Sequence, residues 1–134
     1  EGVIDIYMPD FKFWDPAIAE QTCNAPDYPQ IAAKVVVEMH RQVGDLQLDE
    51  NGIATRGLLL RHLVMPSGMA ETGEVMSFIA NHVSKNTYVN IMDQYRPCGK
   101  ALHVKELARR VSVTEFNKAV KEAKDAGITR FAAF

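Results

Sequence analysis

The chain alternates between strand-like and helix-like patterns of apolar residues. Residues 3–8 are almost continuously apolar, which is typical of a parallel strand covered on both faces, and Pro9 ends this strand. Between Pro29 and Gly44 an apolar residue recurs at every fourth position, which predicts an amphipathic helix with proline near its first turn and glycine just past its end. The residues of this predicted apolar face are Ile31, Val35, Met39 and Val43.

The middle of the chain predicts a hairpin, a second strand and a second helix. Residues 46–48 and 53–55 flank Asn51-Gly52, the pair that a tight type I′ turn prefers because both central residues need positive φ. Residues 57–65 form the second strand, which stops at Pro66-Ser67-Gly68. The helix after it carries an apolar face made of Val75, Met76, Ile79 and Val83.

The last third of the chain repeats the order of strand and helix. Residues 87–92 predict a third strand, a loop covers 93–101, and a short helical segment is expected near 104–110. The final helix begins with a capping box, Ser112 to Glu115, in which hydroxyl and carboxylate bond free backbone amides, and it ends at Gly127. Its expected buried face consists of Phe116, Val120 and Ala123.

This alternation predicts an α/β fold, namely a partial (β/α) barrel fragment with three parallel strands, crossover helices and a small β-hairpin insertion. The 134 residues, 47% of them hydrophobic, suit a single domain spanning 1–134. Three units are fewer than half of the eight in a complete barrel. We therefore expect that the N-terminal units lie outside this sequence.

Composition narrows the classes of partner. The formal charge of −2 and the absence of a basic stripe argue against nucleic acid, and no apolar run approaches the length of a membrane span. No export signal opens the chain, so the cytoplasm is the expected location. Cys23 and Cys98 lie far apart in a sequence poor in cysteine, which favours two reduced thiols over a disulfide.

Polar side chains follow each predicted strand. Asp10 to Phe13 come after the first strand, Arg61, His62 and Pro66-Ser67-Gly68 fall within and after the second, and Asp93 to Arg96 come after the third. Ligands of α/β barrels and open α/β sheets bind at the carboxyl ends of the strands. These segments are therefore the candidate site.

The same segments carry a family resemblance. Asp10-Phe11-Lys12, the run from Arg61 to Gly68, and Tyr95-Arg96 followed by Gly99-Lys100 resemble three successive strand-end motifs of the pyruvate formate-lyase activating enzymes, which belong to the radical S-adenosylmethionine superfamily. Their order, their spacing and the helices between them agree across the whole chain.

The resemblance implies a cofactor site. In that family a 4Fe-4S cluster binds S-adenosylmethionine and cleaves it reductively to a 5′-deoxyadenosyl radical, which takes a hydrogen atom, in the activases from a glycine of a partner enzyme. By position, Asp10 and Lys12 would line the site near the ribose, and Arg61 would lie at the charged end of the adenosylmethionine. Tyr95 and Arg96 belong to the third motif, where Arg96 falls near a histidine of the family. All five are positioning groups rather than catalytic residues.

One departure from the family is large. Its cluster rests on a Cys-x-x-x-Cys-x-x-Cys pattern, and neither this pattern nor the glycine-rich motif that holds the methionyl amine occurs in these residues. We therefore expect the full-length parent to use S-adenosylmethionine and the cluster on a protein or small-molecule substrate. The fragment alone is expected to bind neither and to be inactive.

An alternative function of the chain involves no catalysis. Half a barrel could persist as a non-catalytic interaction module that recruits a protein through its open edge. In either case the first strand lacks a neighbour on one side, which exposes backbone amides and carbonyls. We expect a homodimer that forms through this sheet edge.

Each predicted site residue could instead have a purely structural role. Asp10 and Lys12 could form a solvated ion pair, Arg61 could bind Asp5 or Asp93, and Asp93 and Tyr95 could cap a strand. The four histidines show no ligand spacing, so a zinc site is not expected and they are read as surface or hydrogen-bonded residues. No role is assigned to Cys98.

Overall fold

Parallel strands alternate with helices in the computed structural model, which describes residues 2–132. The elements in chain order are β1 (Ile6–Tyr7), α1 (Pro16–Cys23), α2 (Tyr28–Val43), β2 (Gln47–Leu48), β3 (Ala54–Leu63), α3 (Thr72–His82), β4 (Tyr88–Met92), α4 (Val113–Asp125) and β5 (Arg130–Phe131). The strands β1, β3, β4 and β5 form a parallel sheet in that order, and β2 pairs antiparallel with β3. The predicted α/β class, a partial β/α fold, is confirmed.

The sheet has one parallel strand more than predicted. β5 is two residues long and pairs Arg130 and Phe131 with β4. It was missed because two residues carry no periodic pattern. The predicted helix near 104–110 is wrong, because that segment forms only one turn, in which Ala108 N donates to Val104 O, and a 3₁₀ turn at Gly99–His103 precedes it.

The predicted hairpin is present and leads directly into β3, but its turn is not the predicted type I′. Gly52 has positive φ and Asn51 does not, and Gly52 N donates to Asp49 O, so Glu50 and Asn51 are the central residues of the turn. Asp49 closes it: its N–H donates to Ile53 O at 2.8 Å, and its carboxylate accepts from the backbone N–H groups of Asn51 and Ile53. β3 therefore starts at Ala54, three residues earlier than the sequence indicated. The capping box of α4 is also confirmed, since Ser112 and Glu115 bond each other's backbone amides.

Strand β1 is less covered than predicted. Val3 is 82% exposed and Met8 56% exposed, so the expectation of a strand buried on both faces is wrong. The reason is position: β3 pairs with one side of β1, and no strand among residues 2–132 pairs with the other. β1 is thus an edge strand with the composition of a central one.

Helix α2 also presents a different face from the predicted one. Val36 and Val43 are buried, whereas Ile31 and Val35 are 51% and 39% exposed. A repeat of four residues advances by about 400° on a helix of 3.6 residues per turn, so it drifts around the helix instead of marking one side. The buried side is defined by Ala32, Val36 and Val43.

The helices cover one face of the sheet. Leu58 and Leu60 of β3 and Val89 and Ile91 of β4 point toward them and are almost fully buried. The alternate residues form what we call the open face, which is only half-buried and consists of Leu59, Arg61, Leu63, Tyr88 and Asn90. In a closed barrel this face would line the interior. No helix among residues 2–132 is long and apolar enough to cross a membrane.

Candidate functional site

Three of the predicted site residues meet at the carboxyl ends of β1 and β3. Asp10 lies between Lys12 and Arg61: its Oδ2 is 3.3 Å from the Lys12 Nζ, and its Oδ1 is 3.0 Å from the Arg61 Nε. We call these three residues the Asp10 cluster. The partner of Arg61 is thus Asp10, not Asp5 or Asp93.

The backbone sets this contact. After β1 the chain continues beside β3, and Asp10 forms a parallel bridge with Arg61. Arg61 N donates to Pro9 O and Phe11 N donates to Arg61 O, both at 2.9 Å. Residues paired across parallel strands point to the same face, so the two side chains lie side by side on the open face.

The Arg61 guanidinium keeps its hydrogen-bonding capacity. Its Nε is buried, but the N–H is not aimed at Asp10 and has no acceptor among the described residues. Within residues 2–132 the contact with Asp10 is therefore ionic, and the side chain is 37% exposed. A guanidinium has five N–H donors, so Arg61 is equipped to bind a further anion.

A tyrosine holds the segment that carries Asp10 and Lys12. The Tyr28 hydroxyl, at the start of α2, donates to Asp10 O at 3.0 Å and accepts from Lys12 N at 2.9 Å. Burial raises the pKa of Tyr28 above its ordinary value, so the hydroxyl stays protonated. The sequence did not reveal this positioning residue, because nothing in the local pattern links residue 28 to residue 10.

A buried histidine holds the same segment from the other side. His62 is fully buried, its Nδ1 lies 2.7 Å from Phe11 O, and its Nε2 lies 2.9 Å from the Thr72 Oγ1. A carbonyl only accepts, so Nδ1 carries the proton and Nε2 accepts from the Thr72 hydroxyl. Burial lowers the pKa of His62 to about 4. The neutral ring therefore links the β1 loop, β3 and the start of α3, as a hydrogen-bonded histidine and not a metal ligand.

The other two predicted site residues, Tyr95 and Arg96, lie in the loop after β4, apart from the Asp10 cluster. Tyr95 donates from its hydroxyl to Leu107 O at 2.9 Å and is half-buried, and burial raises its pKa. Arg96 is exposed, and no hydrogen bond or ion pair joins it to the Asp10 cluster in the described part of the chain. The structure thus brings Asp10, Lys12 and Arg61 together but does not add Tyr95 and Arg96 to them.

A small apolar cluster joins the loop after β1 to the loop after β4. Phe13, from the loop after β1, and Tyr95, from the loop after β4, both belong to it, and its buried members include Met65 and Leu107. It fixes the loops at the carboxyl ends of the strands relative to one another.

The described residues offer little to a metal ion. Cys23 and Cys98 are exposed, unpaired thiols, and residues 2–132 hold no group of three or more histidine, cysteine, aspartate or glutamate side chains placed to share an ion. A cluster that needs three thiolates does not fit these two cysteines.

The chain is similar to the uncharacterized protein MJ0674 of Methanocaldococcus jannaschii. The two are 31% identical over 124 residues, a stretch that covers 92% of this chain and 32% of that protein. The chain therefore spans about a third of the length of this relative. No protein-family model and no solved structure matches the chain. The name of the relative gives no chemistry, so the function is proposed from the site.

Proposed function

We propose that these residues are C-terminal β/α units of a radical S-adenosylmethionine enzyme similar to the pyruvate formate-lyase activating enzymes. The observation that supports this most is the Asp10 cluster, which brings together the residues of two separate motifs at adjacent strand ends. Strand ends of this kind are where α/β folds bind ligands. In the full-length protein the Asp10 cluster binds S-adenosylmethionine.

The geometry gives each residue of the Asp10 cluster a role. The Asp10 carboxylate accepts hydrogen bonds from the ribose hydroxyls while Lys12 balances its charge. Arg61, whose side chain is 37% exposed, donates to the methionyl carboxylate with its terminal N–H groups. Tyr28 and His62 keep Asp10 and Lys12 in place. These residues bind and orient, and none of them transfers a proton.

The iron–sulfur cluster of such an enzyme has no ligand set in these residues, so its cysteines would come from outside this sequence. Such a cluster, held by those cysteines, would supply the electron for the cleavage of S-adenosylmethionine. The 134 residues alone are inactive in this proposal, because they provide only part of the cofactor site.

Anaerobic reconstitution of the full-length protein with iron and sulfide tests the proposal. We expect 5′-deoxyadenosine to form from S-adenosylmethionine under a reductant. Arg61→Gln should raise the KM for S-adenosylmethionine about tenfold or more, the effect expected for a lost charge-assisted hydrogen bond. Arg56→Gln is the matched control on the same strand, since among residues 2–132 Arg56 donates only to Gln42 O. A reconstituted wild-type protein that forms no 5′-deoxyadenosine would overturn the proposal.

A second candidate function, a non-catalytic interaction module, is supported by a different observation. Val3, Ile4, Ile6 and Met8 expose apolar surface on and next to the edge strand β1. Ile31 and Val35 of α2 share a helix face with Gln42, which the Tyr7 hydroxyl of β1 contacts at 2.9 Å. We call these six apolar residues the apolar edge. In this candidate function the apolar edge binds a second copy of the chain.

We also propose, for either candidate function, that the protein lies in the cytoplasm. Cys23 and Cys98 are free and exposed, as thiols are in a reducing compartment. Labelling both thiols with maleimide in intact cells that express the protein tests this location, which oxidised thiols would contradict.

A further inference from the structure

A cavity of about 430 Å³ beside α3 and α4 is largely acidic, but a second cavity has a more informative lining. It measures about 530 Å³ and opens at the carboxyl end of β4. One wall is the loop after β4, and the other is the segment just before α4. The lining residues are Asp93, Gln94, Tyr95, Arg96, Arg110 and Val111.

The charges in this cavity are not neutralised. Arg96 and Arg110 are exposed, and in the described part of the chain neither guanidinium donates a hydrogen bond or forms an ion pair. The neighbouring Arg109 differs, because both of its terminal nitrogens donate to the Glu115 carboxylate, at 2.8 and 2.7 Å. Glu115 is thus engaged, and the lining keeps two cations against the single carboxylate of Asp93.

The two walls are held in place before any ligand arrives. The Tyr95 hydroxyl donates to the carbonyl of Leu107, a buried residue, and so ties the β4 loop to the segment before α4. Arg110 lies between Arg109 and Ser112, and Glu115 bonds both of these neighbours. A site whose backbone is already ordered loses less entropy when it binds.

We propose that this cavity binds an oxyanion, a carboxylate or a phosphate, of a small-molecule ligand through Arg96 and Arg110. Two guanidinium groups on one cavity repel each other until an anion lies between them, and their planar N–H groups match a carboxylate or phosphate. Asp93 and Gln94 then contact the polar remainder of the ligand. The site shares no residue with the Asp10 cluster, so it goes beyond the adenosylmethionine site and does not depend on it.

Nuclear magnetic resonance of the arginine Nε–H groups in the 134-residue chain tests this site. Inorganic phosphate and succinate are titrated separately, against sodium chloride at equal ionic strength. We expect saturable shifts at Arg96 and Arg110 with one or both anions. R96Q and R110Q should each weaken binding about tenfold, as expected for a lost charge-assisted hydrogen bond, and R56Q should leave it unchanged.

The outcomes separate the possible ligands. Saturation by phosphate alone indicates a site for a phosphorylated ligand, and saturation by succinate alone indicates a site for a carboxylate. Shifts that only follow ionic strength, or that persist unaltered in R96Q and R110Q, overturn the proposal. Amide spectra of the variants show whether they are folded, and since both side chains are exposed we expect native spectra.

Discussion

At the scale of single residues, His62 is the side chain on which most of the site depends. It is fully buried and contacts Phe11 and Thr72 from the carboxyl end of β3. Burial in the apolar core favours its neutral form and outweighs the hydrogen bond with Phe11 O, which acts in the opposite direction. Protonation of this one ring would therefore disturb three elements together.

The depressed pKa of His62 predicts a loss of stability in mild acid. The unfolded chain binds a proton near pH 6.5 and the folded chain only near pH 4, so stability is complete above pH 6.5 and falls as the pH drops toward 4. Between pH 7 and pH 5, where carboxylates remain ionised, the loss should be about 2 kcal/mol. Urea denaturation at both pH values measures it.

A histidine on the surface provides the control for this experiment. His103→Gln should retain the full pH dependence, since His103 is exposed, whereas His62→Gln should lose it and also lower stability at pH 7. An equal slope in the two variants would contradict the role given to His62. If His62→Gln does not fold, the histidine titration followed by carbon NMR in the wild type reports the pKa directly.

At the scale of elements, the start of α4 joins three parts of the chain. The Glu115 carboxylate accepts from Ser112 N, from Ser67 N and from Arg109. The hydrogen bond from Arg109, followed by those from the backbone of Ser112 and Ser67, holds the pKa of Glu115 well below its usual range. One residue thus caps a helix and fixes the turn after β3.

This geometry predicts unequal effects for the two capping residues. Ser112→Ala removes one cap and should cost about 1 kcal/mol of stability. Glu115→Ala should cost more, because Ser67 and Arg109 lose their acceptor as well. Thr114→Ala, at an exposed position of the same turn, is the matched control. Urea denaturation compares the three variants, and equal losses for Ser112→Ala and Glu115→Ala would be inconsistent with a joining role for Glu115.

Elements with local signals could be predicted from the sequence, whereas elements defined by distant contacts could not. The hairpin around Asn51-Gly52 and the Ser112 cap depend on neighbouring residues and were predicted, although the turn type of the hairpin was not. Helix α1 was missed, although Asp15 caps it through its side chain and Pro16 begins it, because its eight residues bury only Ala19. The sequence pattern of such a short helix is hard to distinguish from that of a loop.

The candidate site was predictable in part for the same reason. The rule that parallel strands end at one edge placed Asp10 and Arg61 in the same region, and they are in contact. Tyr28 and His62 could not be assigned their roles, because hydrogen bonds over long sequence distances decide them. The separation of Arg96 from the Asp10 cluster depends on the path of a loop, which has no periodicity.

At the scale of the whole molecule, the apolar edge combines exposed apolar side chains with an unpaired strand edge. Among the described residues no strand pairs with one side of β1, and Val3, Ile4, Ile6 and Met8 on and next to this strand are exposed. A second copy of the chain is the partner that is always present, and strand edges pair readily with one another.

We therefore expect the 134-residue chain to form a dimer through the apolar edge. Ile6→Lys places a charge on β1 and should shift the protein to the monomer. Val113→Lys, at a 77% exposed position on α4, should leave the dimer unchanged. Sedimentation velocity at micromolar concentration distinguishes the two states, and a wild-type monomer at that concentration would contradict the expectation.

Tyr28 and His62 hold the segment of Asp10 and Lys12 by hydrogen bonds, so the conformation of the site depends on the folding of several elements at once. The loop after β1 has its native conformation only when α2, β3 and the start of α3 are all docked. A form in which α2, β3 or the start of α3 has undocked loses this arrangement, so a ligand of the Asp10 cluster stabilises only forms in which all three are in place. Its binding should slow amide hydrogen exchange in helices that it never touches.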